Sequence, residues 1–587
     1  GYTRQSYNTT ISNLGLKWDL SSITPGLSVR GLASFDVVDI TQNVRTQSPD
    51  AFRYEIINGL EKYTRTSTES ALALSNRYET YRTMYGEVSL NYDRTFGKHS
   101  ISGLLLGNKK DAQNVATSNS IDNLPERRLG LISRVTYNYD TRYLIELNAG
   151  YTGSENFKKG KQFGLFPSVG AGWIVSNEKF WNKDVINSLK IRGSYGKVGN
   201  DRIGNPLQRF IFLSTFNKGA TGYEFGNGQT YNPGGLSELR IGNEDVTWEN
   251  AYKTNAGFDL ELFNGKFTLT ADVFHERRED QLLLRATIPT YTGYPGGTVP
   301  YANLGVSTNK GVEGNLQLRN TTKGGFYYSF LANFSFAKSK IIENDQPQQL
   351  YPWQELRGHS IGANLGYVAL GLFKDAADVA NSPSQANLAG GVTNYGPGDI
   401  KYKDLNNDGI IDIADRTVIG EFSGSFPQIM YGFGSTLGYK GFDISIFFTG
   451  AANRDFFYGQ GYTTWAFQGA EGLYNVQQNY FDQRWIPGGD NTNAKYPGIR
   501  ANSTNNYIGS TLWKESGNYL RIKNAEIGYT LSSKFTKKVS LSNARIFING
   551  TNLATWDNLK VIDPESDFGS GRHPINKTYN FGLEVTF

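Results

Sequence analysis

The chain has 587 residues, with 59 Lys and Arg nearly balancing 54 Asp and Glu, no Cys and four His. That balance excludes a nucleic-acid footprint, and the missing thiols exclude disulfides, thiolate metal sites and a cysteine nucleophile. Aromatics make up 14% of residues and Gly is abundant at 67, yet mean hydropathy is only -0.46 and no apolar run reaches the ~18 residues of a spanning helix.

The chain opens on Gly1-Tyr2-Thr3 with no initiator Met, charged n-region or apolar h-region. The expectation is the later portion of a longer polypeptide, or a chain whose leader has been removed. From there onward a period of two dominates. In 143–151, Tyr143, Ile145, Leu147, Ala149 and Tyr151 alternate with Leu144, Glu146, Asn148 and Gly150. The pattern returns at 267–273 (Phe267, Leu269, Ala271, Val273), at 326–336 (Phe326, Tyr328, Phe330, Ala332, Phe334, Phe336) and at 442–448 (Phe442, Ile444, Ile446, Phe448). It closes the chain, where Tyr579, Phe581, Leu583, Val585 and Phe587 share one face and Asn580, Gly582, Glu584 and Thr586 the other. Roughly 16 to 19 such segments are expected, each near the 9 to 11 residues of a tilted spanning strand. Strands greasy on one side and polar on the other predict an all-β transmembrane antiparallel β-barrel.

Connections come in two sizes. Gly97-Lys98, Asn264-Gly265, Thr321 to Gly324 and Lys440-Gly441 are tight turns, rich in residues that accept positive φ. The segments 202–250, 276–304, 338–425, 451–516 and 553–576 are long and rich in Gly, Asn, Pro and Tyr. Counting back from Phe587 in the periplasm puts the turns at Lys440, Thr321 and Asn264 on the periplasmic side and the long segments outside. A soluble sandwich shares the period but has no reason to sort its connections by length.

The sharpest local motif runs from Asp404 to Asp415, Asp-Leu-Asn-Asn-Asp-Gly-Ile-Ile-Asp-Ile-Ala-Asp. It follows the calcium-loop grammar: Asp404, Asn406 and Asp408 as oxygen ligands, Gly409 at the sharp turn, the Ile410 carbonyl, then Asp412 and Asp415. An Asp at the last position reaches less far than the usual Glu, and the alternative is an Asx-rich turn that solvates itself. Any ion there is structural, because the loop supplies nearly all of its ligands. Among the long-loop aromatics, Trp353, Tyr458, Tyr462, Trp465 and Trp485 are the candidates to stack on sugar rings or contact peptide side chains, against a reading as interfacial girdle or loop packing. Carboxylate pairs such as Asp259 with Glu261 and Glu276 with Glu279 fit a polar lumen or a solvated loop, and no catalytic constellation or histidine metal spacing is present. The sequence reads as a non-enzyme.

Several segments in order carry a family resemblance. Phe166-Pro167-Ser168-Val169-Gly170-Ala171-Gly172-Trp173 precedes Leu189-Lys190-Ile191-Arg192-Gly193-Ser194-Tyr195-Gly196-Lys197-Val198-Gly199-Asn200. Trp248-Glu249-Asn250, Asn309-Lys310-Gly311-Val312-Glu313, Gly398-Asp399-Ile400-Lys401-Tyr402-Lys403 and Asp415-Arg416-Thr417-Val418-Ile419-Gly420 follow. The series ends with Tyr519-Leu520-Arg521-Ile522-Lys523-Asn524, Gly550-Thr551-Asn552-Leu553 and terminal Phe587. Together these resemble the SusC/RagA family of TonB-linked outer-membrane proteins over essentially the whole chain. The resemblance implies a 22-stranded barrel, of which 1–587 would be the later barrel part, with plug and TonB box expected ahead of Gly1. It also implies import of oligosaccharides or peptides, a SusD-like surface lipoprotein as cap, and energy from TonB with ExbB and ExbD. Expected further partners are outer-membrane lipid and the barrel-assembly machinery, for which the row Tyr579, Phe581, Leu583, Val585 and Phe587 is the assembly signal. Transporter and lipoprotein are expected to pair into dimers. A passive channel and a surface receptor or adhesin share such a wall and stand as the alternatives; a secreted all-β enzyme is a third.

Overall fold

The computed structural model describes residues 1–115, 121, 123–202, 209–220, 222–226, 231–294, 298–388, 394–421, 427–458, 477–500, 504–559, 562–565 and 575–587. Helices among them are single turns, and none is long and apolar enough to cross a membrane. Seventeen strands make the large antiparallel sheet. They are β1 (Tyr2–Asp19), β2 (Leu27–Thr46), β3 (Ala73–Phe96), β4 (His99–Asn114), β5 (Glu126–Tyr139) and β6 (Tyr143–Ser154). Next come β7 (Phe163–Ile174), β8 (Ile186–Asn200), β9 (Glu249–Leu262), β10 (Phe267–Leu284), β11 (Tyr301–Thr321) and β12 (Tyr327–Glu343). The series ends with β13 (Ile429–Tyr439), β14 (Phe442–Ala452), β15 (Tyr519–Thr530), β16 (Asn543–Asp557) and β17 (Thr578–Thr586).

The chain divides into two units, one of 1–171, 194–252 and 279–304, the other of 172–193, 253–278 and 305–587. In the first, β1 to β6 pair each with the next as an antiparallel meander. In the second, β11 to β17 do the same. Neighbours in sequence are neighbours in space: Lys440-Gly441 folds β14 straight back on β13, and β12 pairs with β13 across the long connection 344–428. At Lys440 and Gly441, φ values of 50° and 88° give the left-handed pair that matches the twist of the flanking strands.

Register shows what the sheet is for. Across the second unit, Leu437, Ile444, Ile527, Ile548 and Phe581 stand directly opposite one another on β13 to β17. One residue away, Thr436, Ser445, Glu526, Asn549 and Asn580 form a parallel row. Successive side chains point to opposite faces, so one face carries hydrocarbon and the other carries hydroxyl, carboxylate and amide groups. In the first unit, Leu27, Tyr92, Gly103, Val135 and Leu147 make the apolar row. Ser28, Asn91, Leu104, Arg134 and Asn148 lie beside them, with Leu104 the one apolar member. Phe581 is 74% exposed and Ile548 60%, which water would penalise and lipid does not.

Two expectations need correction. The strands are not uniformly 9 to 11 residues: β17 has 9, but β2 has 20 and β3 has 24. At ~3.4 Å per residue, the longest outreach a ~25 Å apolar band even when tilted, so their pairing continues beyond the bilayer. For the same reason the long connections begin later than expected, β10 running on to Leu284 and β12 to Glu343.

Candidate functional site: the loop core and the polar wall

A β-wall that is polar inside and lipid-facing outside has no ordinary hydrophobic interior. The principal core of the second unit lies instead in its long connections. Tyr367, Leu388, Ile400, Tyr402, Ile411, Phe456, Tyr458, Tyr480, Trp513 and Leu559 are buried together there. Tyr458 and Tyr480 meet edge to face, as do Tyr480 and Tyr496 at 4.6 Å, while Trp513 stacks on Tyr496, contacts that add to what area burial alone supplies.

Burying so much backbone requires partners for its polar groups, and a side-chain network supplies them. Gln385, wholly buried, donates from Nε2 to the Ile400 carbonyl at 3.0 Å and to Asn505 Oδ1 at 2.6 Å, while its Oε1 accepts from the Tyr402 N–H at 2.8 Å. Asn506 donates to Asp399 Oδ1 at 2.7 Å, and its own Oδ1 accepts from the Ile400 N–H at 3.0 Å. The Trp513 indole N–H ends on the Asn506 carbonyl at 2.7 Å, and the Tyr402 hydroxyl on that of Asn505 at 2.7 Å. Burial pushes the Asp399 carboxyl above its ordinary range; Asn506, the Arg500 guanidinium at 2.9 Å and the Gly396 N–H pull against it. Burial likewise drives the Tyr402 and Tyr480 phenols far up, so both stay neutral.

Arg521, at the start of β15, is fully buried and holds Asp563 through two contacts of 2.6 Å, with Glu565 at 3.4 Å. Lys523 also reaches Glu565, at 3.5 Å. The connection between β16 and β17 is thereby tied to the sheet. Arg521 and the Gln385 network were not singled out from sequence; Asp563 lies 42 residues from Arg521 and Asn505 120 from Gln385.

The calcium-grammar loop is tightly turned, with positive φ at Asn407 and Gly409. Asp404 accepts from the N–H groups of Asn407 at 2.6 Å and Gly409 at 2.8 Å. Asp408 accepts from Ile410 N–H at 2.9 Å and from the Asn406 amide at 2.8 Å. Asp412 and Asp415 form a reciprocal capping box around the turn Ile413–Asp415. Asp415, wholly buried, also takes the Leu405 N–H at 2.7 Å. Burial raises its carboxyl pKa, and the nearby Asp404 charge adds to the rise. Among the described residues no three carboxylate or imidazole groups converge as a metal cage, and the carboxylates are engaged with backbone N–H groups.

The aromatic candidates fall in separate surroundings. Trp353 stacks on Tyr351 at 4.6 Å and 10°, and its indole N–H donates to the Ala414 carbonyl at 2.8 Å, fastening it to the acidic loop. Tyr458 is 6% exposed, inside the core. Trp485 lies over Gly398, whose φ of 84° leaves the flat backbone face that the ring needs; a Cβ there would run into it. Tyr462 and Trp465 lie outside the described residues.

On the polar face of the wall, Arg192 forks onto Asp272 at 2.5 and 2.7 Å and reaches Asp259 at 3.2 Å. Arg545 bridges Asp443 and Glu526, the latter at 2.6 Å, and Asn549 and Asn580 extend the chain of hydrogen bonds at 3.0 and 2.9 Å. Of the carboxylate pairs noted in the sequence, Asp259 is thus occupied by a guanidinium, and Glu276 faces Lys253 and Arg278. These guanidinium, carboxylate and amide groups make that face of the wall polar and charged.

Comparison with known proteins agrees with this geometry. The family model described as TonB dependent receptor-like, beta-barrel, matches residues 1–553. The chain is similar to TonB-dependent receptor P3 of Formosa agariphila, 26% identical over 93% of this chain and 59% of the relative. It is also similar to TonB-dependent receptor SusC of Bacteroides thetaiotaomicron, 24% identical over 77% of this chain and 43% of the relative. Among solved structures, the RagAB peptide transporter matches with a TM-score of 0.73 at 18% identity, covering 100% of this chain and 62% of that one. The RagAB peptide importer in its open-open state gives 0.70, also at 18% identity, over 100% and 62%; at such identity the likeness shows the fold. The chain spans about half the length of the curated relatives it matches. Theirs is a family of receptors and transporters, not of enzymes. The chain belongs to the TonB-dependent receptor-like β-barrel family and is a protein of the outer membrane.

Proposed function

We propose that the protein imports oligosaccharides or peptides across the outer membrane, with a SusD-like surface lipoprotein capturing cargo over the long loops and TonB, ExbB and ExbD supplying the energy. The observation that carries this reading is the pairing of a polar-faced wall with a packed, hydrogen-bonded core in the long loops: the one passes hydrated solute, the other presents a rigid surface to cargo and cap. The likeness to SusC and to the RagAB peptide transporter supports it. No covalent chemistry is needed; this chain sets which solutes fit, and the force comes from elsewhere. The test is accumulation of labelled oligosaccharides and peptides by cells with and without the gene, and with and without TonB. Saturable uptake lost in both deletions is expected. Uptake surviving loss of TonB would instead favour a passive channel, and binding without accumulation an adhesin.

A divalent ion in the Asp404 loop is a second proposal. It would be held by Asp404, Asn406, Asp408, Asp412 and the Ile410 carbonyl, with Asp415 behind them. What favours it is charge: Asp404, Asp408, Asp412 and Asp415 crowd twelve residues and none has a Lys or Arg ion pair among the described residues, so a cation relieves their repulsion. Asp404 and Asp408 must rotate off their backbone donors to bind it. Asp404→Ala with Asp408→Ala should abolish protein-bound calcium and speed proteolysis of the loop; no change in either removes the ion.

A further inference from the structure

The short connections of the second unit are strongly basic. Residues 175–185, 263–266, 322–326, 440–441 and 531–542 contain eight Lys and no Arg, against only Glu178 and Asp184, although the whole chain is nearly balanced at 59 to 54. Lys266, Lys323, Lys440, Lys534, Lys537 and Lys538 are all exposed, and none has an ion-pair partner among the described residues. The charge is therefore not spent inside the fold.

Beside these lysines runs an aromatic line on the apolar face. Phe326 lies 6.1 Å from Tyr328 and 6.4 Å from Tyr439. Tyr439 stands opposite Phe442, whose ring is 4.4 Å from that of Tyr529. Lys440 sits 5.1 Å above the Tyr439 ring. The longest short connection, 531–542, places Lys534, Lys537 and Lys538 around Phe535, which is 56% exposed. Aromatic rings settle at headgroup depth and mark the bilayer boundary. Lysines at that edge stand at the depth of lipid phosphates, to which their charge attracts them. We propose that this lysine and aromatic collar binds acidic phospholipid headgroups of the leaflet facing the short connections. An acidic soluble protein would be served by the lysines but not by rings facing hydrocarbon.

The test takes the full-length protein, purified and placed in nanodiscs of equal phosphatidylglycerol and phosphatidylcholine, and measures the lipids that stay bound. Wild type is expected to retain phosphatidylglycerol at roughly threefold excess or more, the excess shrinking with salt. The variant Lys323→Gln, Lys440→Gln, Lys534→Gln, Lys537→Gln, Lys538→Gln should retain the two lipids about equally, and the matching Lys→Arg set should keep the excess. Folding is checked by heat-modifiable migration; should the fivefold variant fail it, Lys440→Gln and the triple change at 534, 537 and 538 are tested separately, each losing part of the excess. Unchanged excess in folded Gln variants overturns the proposal, as does a loss of binding to an acidic periplasmic protein with lipid retention intact. The readout is independent of transport.

Discussion

Replacing Arg521 by Leu should release the connection between β16 and β17 while leaving the sheet folded. Arg521 is wholly buried, and Asp563 and Glu565 keep side-chain exposures of only 17% and 22%. Removing one partner of a buried pair costs about 3 to 5 kcal/mol, mainly because the other charge is left uncompensated. Two features favour the low end: Asp563 can partly rehydrate, and Arg521 Nε lacks a hydrogen bond already. About 3 kcal/mol corresponds to roughly a hundredfold change in a local opening equilibrium. Hydrogen exchange at Ile562 to Glu565 should accelerate by about that factor, while amides of β15 and β16 below the contact change little. Acceleration under threefold would refute the latch, and loss of the whole sheet's protection would refute its locality.

Charge on the two faces should act oppositely. Ile548→Arg is expected to cost about 2 to 4 kcal/mol in a bilayer refolding assay, and Asn549→Arg less than about 1 kcal/mol; equal costs would contradict the face assignment. Acid should loosen the 358–361 segment. Burial works to raise the Glu421 carboxyl, but His359 at 2.8 Å and the Ser360 N–H at 2.9 Å outweigh it and hold the pKa below the ordinary value. The folded pKa is the lower one, so the stabilisation is present above the usual Glu value of about 4.3 and disappears as pH falls through the folded one. Ser360 amide protection, corrected for intrinsic rates, should drop below roughly pH 4 in the parent and become insensitive to pH in Glu421→Gln; a parent profile flat down to pH 3 would show that the contact contributes nothing.

The wall was legible because its physics is local. A period of two, punctuated by Lys440-Gly441 and Asn264-Gly265, fixes both strand and turn within a dozen residues, and the row ending in Phe587 needs no distant partner to be read. Strand length was harder. In the outer part of β2 the apolar side chains switch from odd positions to Val38, Ile40 and Val44, and in β3 Asn76, Thr80 and Arg82 enter the apolar side, so the alternation breaks while backbone pairing continues. The loop core was not legible at all: Gln385 and Asn505 are 120 residues apart in sequence, and nothing periodic announces that they meet. Tyr458 shows the same limit, since an aromatic side chain in a long polar connection fits a ligand contact and a core position equally well, and the fold makes it core.

The chain has no Cys, so single cysteines can be read one at a time. Spin labels at positions 437, 444, 527, 548 and 581, and at 436, 445, 526, 549 and 580, in the full-length protein reconstituted in lipid, test the two faces directly. The first set should collide with oxygen dissolved in the membrane and the second with a water-soluble nickel chelate, in strict alternation along each strand. Labels of both sets reporting the same environment would contradict a wall that has hydrocarbon on one side and water on the other.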